Sequence, residues 1–214
     1  MKEIKLCNVV PEIFAQRENL RSDVWNTEVC FERGKSYLIE AESGTGKSSL
    51  CSYLYGQRGD YRGSILFDNK TIEPLSTNQW CSIRKSELSI LFQDLRLFGE
   101  LTALENIEIK NRITNTHSIT TIKGWFEELG IIDKLNTRAD RMSYGQQQRV
   151  ALIRALCQPF DFLILDEPVS HLDDRNSDIM RDIISREAKR TGAGIIATSI
   201  GKRINLEYDK CLQL

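Results

Sequence analysis

The residues with chemistry to offer fall in two short runs. The first is Ala41-Glu42-Ser43-Gly44-Thr45-Gly46-Lys47-Ser48. It joins a predicted strand, Ser36 to Glu40, to a predicted helix, Ser48 to Tyr55. Glycines at such a junction let the backbone curl until several N–H groups point inward, and the helix adds its positive end. This is a cradle for phosphate oxygens, running over Ser43, Gly44, Thr45, Gly46, Lys47, Ser48 and Ser49. Lys47 is placed to reach the β- and γ-phosphates of a nucleotide, and Ser48 to ligate Mg²⁺. Ala41 stands where the strict motif has glycine, which is tolerated if φ there stays negative.

The second run is Phe162-Leu163-Ile164-Leu165-Asp166-Glu167. An apolar strand ending in two acids belongs inside a parallel sheet, with Asp166 at the carboxyl edge where such sheets bind ligands. Asp166 suits a direct or outer-sphere Mg²⁺ contact. Glu167 suits the general base that polarises an attacking water. Alone this pattern is weak. Downstream of the phosphate cradle it is strong.

The elements that must position these runs follow an α/β order. Strands are predicted from Ile4 to Val9, Val24 to Phe31, Ser36 to Glu40, Gly63 to Asp68, Leu88 to Phe92, Phe162 to Leu165, Ala193 to Thr198 and Tyr208 to Leu214. Helices are predicted at Ser48 to Tyr55, Ala103 to Lys110, Ile119 to Leu129, Gln146 to Cys157 and Asp173 to Arg190. Gly130 and Pro159 serve as stops. The outline is one domain over residues 1–214: an α/β core with a helical lobe inserted at about residues 94–145.

The balance of the chain limits what it does. With 29 Lys+Arg against 30 Asp+Glu, the net charge of -1 gives no basic excess for nucleic acid. No run approaches the ~20 apolar residues that cross a bilayer. Met1 to Pro11 lacks the apolar core of a signal peptide, so the chain is expected in the cytoplasm. Six cysteines are widely spaced, without a CxxC pair, and are expected reduced and mostly buried. Two distant histidines argue against structural zinc.

Three further segments carry a family resemblance across nearly the whole chain. Leu91-Phe92-Gln93-Asp94-Leu95-Arg96-Leu97-Phe98 resembles the Q-loop of ABC ATPases, and Leu101 to Ile107 continues it. Met142-Ser143-Tyr144-Gly145-Gln146 resembles the signature motif, usually Leu-Ser-Gly-Gly-Gln. Asp166-Glu167-Pro168, then Ser170-His171-Leu172-Asp173, resembles the Walker B motif and D-loop. The wording is most like the branch of lipoprotein-release, macrolide-export and FtsE-type cell-division ATPases.

The resemblance implies a P-loop NTPase core with a parallel sheet, an N-terminal antiparallel β subdomain and an inserted α-helical subdomain. It implies ATP and Mg²⁺ as ligands, and a head-to-tail pair with a second ABC ATPase subunit, identical or different. Ser143, Gly145 and Gln146 would face the other subunit's ATP. Gln93 would sense Mg²⁺ and the attacking water, alongside Lys47 and Glu167. An integral membrane, permease-like subunit would dock near Gln93 to Leu101, holding the chain at the inner face of the membrane. Leu95, Leu97 and Phe98 fit that docking surface or internal packing equally. The adenine would stack on Ile13 or Phe14, of which Phe14 is the better stacker. Trp25 reads as a strand residue.

Two positions depart from the family. Ser199 stands where a switch histidine is usual, with a shorter reach and no charge. His171 is a remote substitute for it. Tyr144 replaces a signature glycine, either crowding the opposite nucleotide or packing beside it. An ATP-hydrolysing motor for a membrane complex is the leading reading. A slow ATP-dependent clamp is the alternative, favoured by Ser199 and Tyr144 and opposed by Lys47, Asp166 and Glu167.

Overall fold

Strand runs that are apolar at every position need cover on both faces, and that is how the chain folds. The computed structural model describes residues 1–16, 20–170 and 172–214. Its strands are β1 (Glu3–Pro11), β2 (Glu28–Glu32), β3 (Ser36–Glu40), β4 (Tyr61–Phe67), β5 (Lys70–Thr71), β6 (Leu88–Leu91), β7 (Phe162–Asp166), β8 (Gly194–Ser199) and β9 (Lys210–Gln213). Its helices are α1 (Lys47–Leu54), α2 (Thr77–Ser86), α3 (Ala103–Thr114), α4 (Ile119–Glu128), α5 (Tyr144–Leu156) and α6 (Asp174–Thr191).

A parallel sheet has the order β6-β7-β8-β3-β9, and an antiparallel sheet the order β2-β1-β4-β5. Alternation along β7 splits the core. Leu163 and Leu165 join a cluster with Ile107, Trp125, Phe126, Leu152 and Ile183 of the helices. Phe162 and Ile164 join the other, with Leu50 and Leu54 of α1 and Ile4, Phe31 and Ile65 of the antiparallel sheet. The buried residues of α3 and α4 therefore share one core with the sheet.

Register places the chemistry. Glu40 pairs with Ser199 across β3 and β8, and Asp166 with Thr198 across β7 and β8. The carboxyl ends of three neighbouring strands thus share one edge, with the phosphate cradle leaving β3 there.

Three expectations change. Val24 to Thr27 is not strand: β2 begins at Glu28, and Val24 and Trp25 are buried in the turn before it. Helix α2 was not anticipated. None of its residues is fully buried: Trp80 and Ile83 pack against the core as a narrow apolar edge, and its clearest start signal is the Ser76–Gln79 capping box. Among the cysteines only Cys51 and Cys157 are buried, while Cys81 and Cys211 are exposed. No helix among the described residues is long and apolar enough to cross a membrane.

Candidate functional site

The cradle closes around its own lysine. Gly44 and Gly46 have φ of 81° and 101°, the left-handed region that glycine enters without strain. A Cβ on Gly46 would also meet Phe14 Cε2 at 3.1 Å and Trp25 Cζ2 at 3.2 Å. Those two rings form the floor of the loop. The Trp25 indole Nε1 donates to the Thr45 carbonyl at 3.0 Å, and Thr45 Oγ1 donates to the Glu42 carbonyl at 2.8 Å. Lys47 Nζ donates to the same Glu42 carbonyl at 3.1 Å. No side chain caps the start of α1, which leaves its first N–H groups facing the loop. That is the geometry an anion needs.

Trp25 departs from its sequence reading, and the two candidates for the adenine contact differ in exposure. Phe14 is 4% exposed under Gly46, so its ring has little open face for an adenine, whereas Ile13 is 70% exposed at the cavity mouth. Trp25 is a turn residue that props the phosphate loop from below.

Opposite the cradle, Thr198 sets the two acids apart. Its hydroxyl donates to Asp166 Oδ1 at 2.8 Å and accepts from the Glu167 backbone N–H at 3.2 Å. That contact accompanies an unusual backbone: Glu167 has φ of 51°, which a side-chain residue adopts only when its surroundings enforce it. The Glu167 carboxylate is consequently turned to the cradle. Its Oε1 lies 3.8 Å from Lys47 Nζ, with 9% and 5% of the two side chains exposed, and its Oε2 accepts from Gln93 Nε2 at 3.3 Å. Gln93 Oε1 accepts from Ser48 Oγ at 3.4 Å. Lys47, Glu167, Gln93 and Ser48 thus form one continuous chain. All four line a cavity of about 290 Å³ with Ile13, Phe14, Ser43, Gly44, Gly46, Ser49 and Ile200. Behind it, burial and then the charge of Asp166 push the Cys51 thiol pKa well up, keeping it protonated and inert.

The donor set suits Mg²⁺, which prefers hard oxygen ligands. The Ser48 hydroxyl and Gln93 amide oxygen already converge, while Asp166 is turned toward Thr198 behind them.

Other expected residues stand apart from the cavity. Ser143 and Gln146 form a capping box at the start of α5, the Ser143 N–H donating to Gln146 Oε1 at 3.0 Å. Neither they nor Gly145 line the cavity. Ser199 is 2% exposed and its hydroxyl donates to the Lys202 carbonyl at 2.9 Å. It does not line the cavity; its neighbour Ile200 does. His171 lies outside the described residues.

The Q-loop needs support that its sequence does not announce. Leu95 and Arg96 are consecutive side-chain residues with φ of 58° and 49°. Arg154 on α5 donates to both of their carbonyls at 2.6 Å. The Arg96 guanidinium sits 3.9 Å above the Phe92 ring. Fully buried Asn106 brackets the following loop, accepting from the Phe98 N–H at 2.8 Å and donating to its carbonyl at 3.0 Å. The three apolar side chains divide: Leu95 is buried and Leu97 packs on the core, whereas Phe98 is 53% exposed.

Comparison with known proteins identifies the family and the fold. A family profile described as ABC transporter matches residues 24–170. The lipoprotein-releasing system ATP-binding protein LolD of Buchnera aphidicola subsp. Schizaphis graminum is 31% identical over 184 residues, 85% of this chain and 80% of that protein. The uncharacterized ABC transporter ATP-binding protein YbbA of Escherichia coli (strain K12) is 28% identical over 202 residues, 93% of this chain and 89% of that protein. The fold is similar to the dimeric structure of the ATP-binding cassette MJ0796 bound to ADP and Pi. That match has a TM-score of 0.76 at 22% identity, covering 92% of this chain and 87% of that one.

Proposed function

The chain belongs to the ABC transporter family of ATP-binding cassettes, and from that premise we propose that it hydrolyses ATP while closing head-to-tail on a second cassette and driving an integral membrane partner. The observation that carries this reading is the unbroken chain from Ser48 through Gln93 and Glu167 to Lys47 at the mouth of the phosphate cradle. A nucleotide's charge-bearing end, its metal and its attacking water would all meet that chain.

The roles follow from the atoms. Ser43 to Ser49 would cradle the phosphates with backbone N–H groups, and Lys47 would leave the Glu42 carbonyl for the β- and γ-oxygens. Once Lys47 is so engaged, Glu167 is released from its ion pair and can polarise water as the base. Ser48 and Gln93 would hold Mg²⁺, with Asp166 in the outer sphere. Bound there, the ion would stabilise charge on the phosphoryl oxygens. Ile13 replaces Phe14 as the residue against which the adenine would lie. Ser143, Gly145 and Gln146, which do not line the chain's own cavity, would complete the site of a second subunit, identical or different. The whole of residues 1–214 would act as one ABC domain, with the lobe of about residues 94–145 moving on the core. Exposed Phe98 would meet the membrane partner and hold the chain peripherally at the inner face of the membrane.

The test is steady-state ATP hydrolysis by the complex purified through its membrane partner. Turnover that depends on Glu167 supports the motor. ATP binding without turnover in the intact complex would leave only a clamp.

A further inference from the structure

Tyr144 occupies a position that is glycine in most signature motifs, and its hydroxyl donates to the backbone carbonyl of Gln93 at 2.6 Å. The two residues belong to different halves of the proposed machine. Gln93 faces this chain's own cavity, bridging Ser48 and Glu167 through its side chain. Tyr144 is the first residue of α5, directly after the Ser143 cap. Ser143 and Gln146 lie outside that cavity.

The contact is one of two grips. Ten residues along the same helix, Arg154 donates to the carbonyls of Leu95 and Arg96, whose left-handed backbone it braces. Helix α5 therefore holds the Q-loop at both ends of the stretch 93–96, and the Tyr144 hydroxyl is the grip next to the cavity. Glycine has no group that reaches this carbonyl.

We propose that Tyr144 is a positioning residue that ties the signature turn to the Q-loop of the same subunit, so that filling this chain's phosphate site reorients the segment offered to the opposite one. This inference rests on the nucleotide reading above and names the side chain, at a position usually glycine, that makes the link in this chain. A shift of Gln93 toward nucleotide and Mg²⁺ pulls its own carbonyl, and the Tyr144 hydroxyl carries the pull to the first turn of α5. The phenyl ring without the hydroxyl packs in the same place but transmits less.

The experiment is hydrogen exchange on the full chain with the imido analogue of ATP and Mg²⁺, at a dilution where light scattering reports monomer. In the native chain the analogue is expected to slow exchange in residues 42–50 and to change exchange in residues 143–148. Tyr144→Phe is expected to keep the first response and lose about threefold or more of the second, the weight of one hydrogen bond. A Tyr144→Phe chain with an undiminished signature response would overturn the proposal. So would a native chain in which the cradle responds and the signature does not. A native chain that shows no response at the cradle removes the nucleotide site itself, and the proposal with it. Because Tyr144 is 39% exposed and Phe keeps the ring, the variant retains the fold.

Discussion

Thr198 and Asp166 face each other in register across β7 and β8, and the Thr198 hydroxyl joins the Asp166 carboxylate to the Glu167 backbone N–H. The same oxygen thus orients one acid and accepts from the backbone of the other. Thr198→Val keeps the shape and leaves both partners buried without it. Removing one such group costs about 1–3 kcal/mol, more when a charge is involved. We expect a fall in Tm of roughly 2–12 °C, at about 2–4 °C per kcal/mol for a chain of this size. ATP turnover should fall further, because Glu167 loses its backbone anchor. Thr198→Ser should restore both. A valine variant with native Tm and turnover would show that the Glu167 conformation is held from elsewhere.

Lys47→Ala removes the one cation that lines the cavity among the described residues. Charge-assisted hydrogen bonds are worth about 1.5–3 kcal/mol, so ATP affinity should drop by roughly tenfold to a hundredfold or more. Fluorescent-nucleotide titration reads this directly. Undiminished affinity would remove the cradle assignment.

How much of this was legible in the sequence depends on whether a residue works next to its own element. Lys47, Ser48, Asp166 and Glu167 sit at strand and helix ends, and the parallel register brings those ends together. Gln93 was legible through the family wording around it. Trp25 was not: its hydrogen bond runs to a backbone carbonyl 20 residues on, which no local pattern encodes. Arg154 was hidden in the same way, since an arginine amid Val150 to Leu156 reads as a solvated helix position until its carbonyl partners are seen. The choice of Phe14 over Ile13 rested on ring chemistry, while burial was decided by the close approach of Gly46.

Glu167→Gln keeps the shape of the side chain and its contact with Gln93, but the amide is no base and no partner for Lys47. The variant should bind ATP at least as tightly as the native chain and accumulate as a closed pair, since ATP stabilises the pair and the releasing step is blocked. Light scattering with ATP and Mg²⁺ checks this. Monomer alone, with the membrane partner present as well, would contradict the sandwich.

Lys110 lines a groove with Tyr55, Arg84, Lys85 and Ile113. Burial, then the charge of Arg154, pulls its pKa from 10.5 to about 8. Folding therefore favours its neutral form. The stability linked to this group is fully present above about pH 10.5 and is lost as pH falls through about 8. Lys110→Met should raise Tm at pH 7, by the equivalent of about 1 kcal/mol for a side chain that still reaches some water. The gain should shrink at pH 9.5. A gain independent of pH would mean that lost packing, not the charge, is being read.

Ser199 is the remaining departure from the family, and its geometry makes a specific demand. The hydroxyl is spent on the Lys202 carbonyl, and Lys202 Nζ is in turn held by the Leu172 carbonyl at 2.6 Å and Asp174 Oδ1 at 2.8 Å. The serine is thus part of a closed turn rather than of the cavity wall. Ser199→Ala should accordingly leave single-turnover hydrolysis within about twofold, the small net weight of one neutral hydrogen bond. Ser199→His should act differently, because an imidazole is too large for the Lys202 contact and would be displaced toward the cavity beside Ile200. Donors aimed at developing charge are worth about 2–4 kcal/mol, so the histidine should speed the chemical step by about tenfold or more. In a homodimer both sites would gain. In a heterodimer only the site on this chain's own cradle would, and a partner site completed by Met142 to Gln146 would keep its rate. Single-turnover measurement in the full complex, with release steps excluded, decides the matter. A histidine variant no faster than the native serine form would mean that position 199 is not the brake.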